Sequence, residues 1–337
     1  MVEKNRKPIL DIKDLKIEYN TYAGRSKVIN ELNMHVYPGE KIGLVGESGC
    51  GKTTTMRSIL KVLPKQGFIT GGEIIYKDEN IFNMKKKQIQ NLRGKEISMI
   101  FQDPTASLNP VFKIGTQIKD TIKYSLESNQ RNKSKKIIYK KSIEALKDCS
   151  LPDPERIMDN YPFQLSGGMR QRICIAMALA TAEDFLIADE PTTNLDVTIQ
   201  SQVLDLIKKL VEEKNTTLIL ITHSLGVARE MTDRIYVMYA GEIVESAKTK
   251  DIFNKAYHPY TVGLLNAVPK LSGDKKLEGI DGRITSYLNP PNGCRYAPRC
   301  DNAKLICHDE KPTFKKVGDE HYIACHLVEK NAGEKNE

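Results

Sequence analysis

Gly46-Glu47-Ser48-Gly49-Cys50-Gly51-Lys52-Thr53 fits the pattern G-x-x-x-x-G-K-[ST] at every fixed position. Glycines at these places permit a backbone whose successive N–H groups point inward at phosphate oxygens. The pattern carries weight only with a strand before it and a helix after it. Lys41-Ile42-Gly43-Leu44-Val45 reads as that strand, aimed at the loop by the turn Pro38-Gly39-Glu40, and Thr53 to Val62 reads as the helix. The helix adds its positive N-terminal end to the cradle. Lys52 is then a point charge for β- and γ-phosphates and the Thr53 hydroxyl a Mg²⁺ ligand, with Thr54 counted among the nucleotide-binding residues.

Further along the chain, Phe185-Leu186-Ile187-Ala188 is wholly apolar and reads as a central strand. Its carboxyl end, the ligand-binding edge of an open α/β sheet, carries Asp189 and Glu190. Asp189 is suited to hold Mg²⁺ directly or through a water, and Glu190 to act as general base toward an attacking water. His223 follows the strand Thr217 to Ile221 and Thr222, where an imidazole can stabilise developing charge. Gln102 ends the run Met99-Ile100-Phe101 just before a stretch of helical spacing, residues 104 to 164, so it can touch metal or water and sit at a hinge. Tyr19, with Tyr22 as the competing choice, offers an aromatic face for adenine.

Between loop and acids stands Leu165-Ser166-Gly167-Gly168-Met169-Arg170-Gln171, about 20 residues before Asp189, followed by the helix-type run Gln171 to Ala180. Ser166-Gly167-Gly168 thus forms a second anion-binding helix N-terminus. One γ-phosphate does not need two full cradles from one chain. With these three elements the sequence resembles ATP-binding-cassette transporter ATPases, in which the signature of one subunit completes the site of another. The resemblance implies a P-loop α/β fold with a RecA-like core, an antiparallel β subdomain and a helical subdomain. It also implies that Leu165, Ser166, Gly167, Gly168 and Gln171 act on nucleotide held by a partner, and that Asp196, in Asn194-Leu195-Asp196, lies on the dimer seam. ATP closes such a dimer, and hydrolysis assisted by Glu190 reopens it.

Longer strings narrow the likeness to ATP-binding subunits of oligopeptide and dipeptide importers, a group that includes nickel importers. They are Phe101-Gln102-Asp103-Pro104 with Ser107-Leu108-Asn109-Pro110, Gln164 to Arg172, Ala188 to Thr193, and His258-Pro259-Tyr260-Thr261. The implied organisation is an ATPase domain over residues 8–255 with its helical insert at 103–165, a C-terminal module at 256–328 and a flexible tail at 329–337. In that module Cys294, Cys300, Cys307 and Cys325 follow the spacing C-x5-C-x6-C-x17-C. Four thiolates suit a [4Fe–4S] cluster or tetrahedral Zn²⁺, with His308, His321 and His326 keeping zinc open and unligated thiols the remaining choice. The role expected for them is structural or docking. Two departures from the family pattern stand out: Cys50 in the loop, which could expose the site to oxidation or alkylation, and Asn194 on the seam, where a small residue is expected.

Composition agrees with an ordinary globular chain: 28% charged, 40% hydrophobic, and no run of 18 apolar residues. The charged segment Met1 to Lys7 lacks the apolar stretch of a signal peptide, so a cytosolic chain is expected, peripheral to the inner face of the plasma membrane. The net charge of +8 comes from scattered lysines, including Lys133 to Lys141, without the aromatic interleaving that stacks bases, so nucleic acid is not expected. The implied partners are a second, homologous ATPase forming a heterodimer, two membrane-spanning permease subunits and, indirectly, an extracellular peptide-binding protein. A nickel importer is the alternative. A soluble ATPase of DNA repair or translation is a remote one, since those relatives carry a coiled-coil insert or two cassettes. A subunit that binds ATP without hydrolysing it is also conceivable, because pairing can be asymmetric.

Overall fold

The computed structural model describes residues 6–126, 135–182, 184–193, 195–268 and 279–328. Lys133, Ser134, Asn194, Pro269 and the tail from 329 to 337 lie outside the described residues. In chain order the strands are β1 Leu10–Thr21, β2 Gly24–Val36, β3 Lys41–Val45, β4 Gly67–Tyr76, β5 Glu79–Asn80, β6 Ile97–Ile100, β7 Phe185–Asp189, β8 Thr217–Thr222, β9 Arg234–Tyr239, β10 Glu242–Lys248, β11 Phe314–Gly318 and β12 His321–Ala324. Packing divides the chain into two compact units. The first comprises residues 1–37, 41–83 and 221–337; the second comprises 38–40 and 84–220. The boundary inferred at residue 256 therefore falls inside the first unit.

In the first unit β2-β1-β4-β5 form an antiparallel sheet. β1 is a single strand interrupted by register shifts on either side of Leu15. Asp14, at φ 47°, takes the left-handed conformation there. A bulge of this kind keeps Leu10, Ile12, Leu15 and Ile17 all buried although the apolar alternation slips by one residue. β3 pairs in parallel with β9, β9 forms a hairpin with β10 around Gly241, and β12 adds to the far edge of β10. The C-terminal segment thus enters the sheet of the same unit as the glycine loop.

An apolar core gathers Val45, Leu225, Val237, Ile252 and three tyrosines, Tyr239, Tyr260 and Tyr296. Their rings meet edge-on or tilted, with centroids 4.7 Å apart for Tyr239 and Tyr260 and 5.0 Å for Tyr239 and Tyr296. Beneath them Glu245, fully buried on β10, accepts hydrogen bonds from the backbone N–H groups of Tyr257 and His258 at 2.8 and 3.1 Å and pairs with His321 Nε2 at 2.7 Å. Burial opposes its ionisation, but these bonds, led by His321, outweigh it and hold the carboxyl below its ordinary range.

The second unit carries β8-β7-β6, with β6 and β7 parallel, and the helices Pro104–Ser107, Ile114–Ser125, Lys135–Asp148 and Pro154–Asp159. β7 is buried at every residue, as its unbroken apolar run requires. Asp196 caps the helix Val197–Lys214 by accepting from Ile199 N–H at 3.0 Å, and Asn215 closes it at φ 51°. Among the described residues of the stretch from 104 to 164 these helices dominate and no strand occurs, as its spacing predicts.

His258 yields a pH prediction. It caps the helix Pro259–Asn266, its Nδ1 accepting from Tyr260 N–H at 3.1 Å, and burial lowers its pKa from 6.5 to about 4 against the pull of Glu245. The unfolded imidazole takes a proton near pH 6.5 that the folded one refuses until about 4, so its contribution is full above 6.5 and lost on acidification. Stability is expected to fall by on the order of 3 kcal/mol across that window from this group. Melting curves at pH 7.5 and 5 check it: His258→Asn, which keeps a capping acceptor, should lose much of the difference.

Candidate functional site: a phosphate loop and an acidic strand end

The loop Gly46 to Thr53 leaves β3 and enters the helix Lys52–Ile59, one residue earlier than the expected Thr53 and ending at Ile59 rather than Val62. Its N-cap is Gly51, at φ 111°, and no side chain caps that end. A Cβ at Gly51 would lie 2.7 Å from Ile29 Cδ1 and 2.9 Å from Met238 Cε. Lys52 is 95% buried, a relative exposure of 5%, and its Nζ donates to the carbonyls of Gly46 at 2.7 Å and Glu47 at 2.9 Å. The lysine is thus folded back onto the loop, its ammonium hydrogen-bonded where it awaits a better acceptor. Gly241 N–H donates to the Cys50 carbonyl at 2.8 Å, tying the loop to the β9–β10 turn.

Cys50, which as a loop cysteine could make the site sensitive to oxidation or alkylation, is not accessible to such reagents. It is fully buried, and burial pushes its pKa up despite the pull of Lys52, so the thiol stays protonated and shielded from oxidants and alkylating agents.

The loop is held from outside by residues of the C-terminal segment. Glu47 N–H donates to the Tyr260 hydroxyl at 2.8 Å, and the Tyr287 hydroxyl donates to the Gly49 carbonyl at 2.8 Å. The Glu47 carboxylate receives both ends of the Arg299 guanidinium, at 2.8 and 3.0 Å. None of these roles is legible in the sequence, because they join positions more than 200 residues apart. The only hint was that Tyr260 falls in the string His258-Pro259-Tyr260-Thr261.

Tyr19 lies on β1 with its hydroxyl 3.4 Å from Thr54 Oγ1 and its ring over Gly67, where a Cβ would come within 2.8 Å. Tyr22 is fully exposed in the β1–β2 turn. His223 is exposed, between the end of β8 and the helix Leu225–Met231 that Ser224 caps.

In the second unit Asp189 closes β7 and is buried, and Glu190 follows at φ 44°. That left-handed backbone costs on the order of 1–3 kcal/mol and turns the Glu190 side chain out of the strand. Its Oε2 accepts from Gln102 Nε2 and from Thr193 Oγ1, each at 3.0 Å. The structure thus brings Gln102 and Glu190 together and adds Thr193, which the sequence reading passed over. Ser166 caps the helix Gly167–Leu179, accepting from Met169 N–H at 3.3 Å; the helix starts four residues before the expected Gln171. A Cβ at Gly168 would sit 3.1 Å from Ile199 Cγ2. Leu165 is buried and Ser166 exposed, whereas Gln171 turns inward and donates to the Pro191 carbonyl at 2.6 Å, next to Glu190 in the chain. Asp196 is exposed at its helix cap.

Cys294, Cys300, Cys307 and Cys325 are all free thiols lining one cavity of about 10 Å³, together with His258 and His326. That volume is near the room one water molecule needs. Among the described residues no group of three or more His, Cys, Asp or Glu is arranged to hold a metal ion. Burial raises the Cys294 thiol to about 11.

A glycine loop on a β-strand and a Ser-capped Gly-Gly helix, with an acidic pair after an apolar strand, define an ATP-binding cassette. The family model described as ABC transporter matches residues 29–193, and that described as oligopeptide/dipeptide transporter, C-terminal region, matches residues 244–307. The chain belongs to the ABC transporter ATP-binding proteins and, as one of them, hydrolyses ATP. It is 43% identical to the oligopeptide transport ATP-binding protein OppD of Bacillus subtilis, over 96% of this chain and 90% of that one. It is 41% identical to the dipeptide transport ATP-binding protein DppD of the same organism, over 96% of each. Among solved structures, the dimeric cassette MJ0796 in a post-hydrolysis state with ADP and Pi is 26% identical, with TM-score 0.63, covering 71% of this chain and 98% of that one. CbiO1 of Clostridium perfringens, part of the ABC transporter complex cbiONQ, aligns at TM-score 0.60 and 26% identity over 74% and 91%. The P-loop α/β fold expected from the sequence is the fold these neighbours share.

Gly241 gives the test of the loop's support. It sits at φ 85°, and a Cβ there would run into the Val28 carbonyl. Gly241→Ala is expected to cost about 1–3 kcal/mol in thermal unfolding, and to weaken ATP binding in an equilibrium titration; unchanged ATP affinity would detach the β9–β10 turn from the loop's function.

Proposed function

We propose that this chain energises import of oligopeptides or dipeptides across the plasma membrane from its cytoplasmic side. The observation that carries the reading is the oligopeptide/dipeptide transporter C-terminal region behind the cassette, joined to relatives named for oligopeptide and dipeptide transport at 41–43% identity over nearly the whole chain. No helix among the described residues is long and apolar enough to cross a membrane, so passage itself falls to other subunits. The partners in this reading are a second homologous ATPase, two permease subunits and an extracellular peptide-binding protein. Exposed apolar side chains in the second unit, Phe101, Val111, Phe112 and Phe163, support a docking surface for a permease just after Gln102.

The chemistry follows residue by residue. Lys52 gives up its bonds to the Gly46 and Glu47 carbonyls for the β- and γ-phosphate oxygens, exchanging neutral acceptors for charged ones. Thr53, Asp189 and Gln102 would hold Mg²⁺, which would supply neutralising charge to the phosphates. Glu190 takes the proton of the attacking water, positioned for it by Gln102 and Thr193. His223 stabilises the charge that develops on the γ-phosphate. Tyr19 covers the adenine. Ser166, Gly167 and Gly168, at a helix N-terminus, serve nucleotide held by the partner ATPase, with Leu165 and Gln171 fixing that turn and Asp196 on the seam. Loss of the γ-phosphate removes the bridging charge and reopens the pair. The cysteine pocket stands outside this cycle; a [4Fe–4S] cluster or Zn²⁺ held by Cys294, Cys300, Cys307 and Cys325 would be a structural element of the C-terminal segment. Its support is the convergence of four free thiols on one cavity and the affinity of thiolates for either centre; against it, no three of these side chains are arranged around a metal among the described residues.

The complex purified from membranes, with a peptide-loaded receptor, tests the whole reading: co-purification of a second cassette and two membrane subunits, with peptide-stimulated hydrolysis, is the expected result. In it, Glu190→Gln should bind ATP normally and lose turnover by about 10²-fold or more; wild-type rates would remove Glu190 from the role of base. Metal analysis of anaerobically purified protein decides the pocket: about four irons per chain identify a cluster, one zinc identifies that ion, and neither leaves four thiols.

A further inference from the structure

Glu47 is the one carboxylate in the phosphate loop, and a carboxylate beside a triphosphate needs an explanation. Its backbone forms the cradle, and its carbonyl already lies 2.9 Å from Lys52 Nζ. Its side chain points instead to Arg299, some 250 residues later, which binds both carboxylate oxygens in the fork geometry peculiar to arginine. Every donor of that guanidinium is engaged. Nε donates to the Asp281 carbonyl at 2.7 Å, one Nη to Glu47 and the Tyr239 hydroxyl, and the other to Glu47 and the Ile280 carbonyl at 3.0 Å. Only 5% of the Arg299 side chain is exposed, and the guanidinium lies over the Tyr239 ring at 5.7 Å. So elaborate a fixture leaves the Glu47 carboxylate one orientation.

We propose that Arg299 is a positioning residue of the nucleotide site, which neutralises the Glu47 carboxylate and holds it away from Lys52 so that ATP meets a loop with its lysine available. Released, the carboxylate has the loop's ammonium within reach of its own residue, competes with phosphate for it, and adds a like charge to the place where ATP carries its own. Arg299 touches no substrate and acts only through Glu47. The chain after the cassette, which carries Arg299 between Pro298 and Cys300, thereby sets how tightly the cassette holds ATP. This rests on the reading of Gly46 to Thr53 as the phosphate loop.

The experiment is equilibrium titration of the full-length chain with Mg-ATP, using displacement of a fluorescent ATP analogue, with a thermal melt of each variant. Arg299→Gln is expected to weaken ATP about tenfold, and adding Glu47→Gln in that background to restore most of the loss, because the harm comes from an unneutralised charge. Arg299→Lys, which keeps the charge but not the fork, should stay within about threefold of wild type and serves if Arg299→Gln does not fold. Undiminished affinity in Arg299→Gln overturns the proposal. So does a loss that Glu47→Gln fails to relieve, which would make Arg299 a structural strut only. Lys52→Ala is the control: wild-type affinity in that variant would show that the loop itself has been misread, and the proposal goes with it.

Discussion

The tight path of the glycine loop is the constraint on which the rest of the first unit depends. Gly51 turns at positive φ with Ile29 and Met238 pressed against the place a side chain would take, and Gly46 has the Met238 carbonyl over it. Such a backbone keeps its N–H groups aimed inward only if it is over-determined from several sides. β3 delivers it, the β9–β10 turn bonds it through Gly241, and Tyr260 and Tyr287 fasten the peptide groups of Glu47 and Gly49. The edge-to-face tyrosine cluster beneath then serves a purpose beyond apolar burial, since Tyr260 spends its hydroxyl on the loop.

That arrangement explains why a cassette carries an extended C-terminal segment whose residues do no chemistry. The segment packs into the core of the first unit, lends β12 to the edge of β10, and sends Arg299 and Tyr287 to the loop. Glu245, His258 and His321 hold its entry point with a buried network in which the carboxylate accepts from the Tyr257 and His258 N–H groups and pairs with His321. A network of this kind fixes geometry at the expense of tolerance to acid.

In the second unit the corresponding economy is at Glu190. A strained backbone carries the carboxylate out of β7, and Gln102 and Thr193 hold it from two sides. Gln171 meanwhile braces the adjacent Pro191 carbonyl from the signature helix. The same helix therefore leaves its Ser166 end exposed and braces the turn after Glu190 through Gln171, its next buried residue.

The motifs, the central strands and the helical insert were legible because each is written in adjacent residues: a glycine pattern, an unbroken apolar run in β7 and β8, a helical spacing around Ile114. Local propensity and steric freedom settle such features without reference to the rest of the chain. The order of strands, the single bulged β1, the burial of Cys50 and the grip of Arg299 on Glu47 were not legible. They depend on which distant surfaces meet, and a hydrogen bond across 252 positions leaves no periodicity behind. Sequence alone therefore determined the chemistry this chain is equipped for. Tertiary structure decided what holds that chemistry in place, because packing and long-range charge pairing act between residues that only folding brings together.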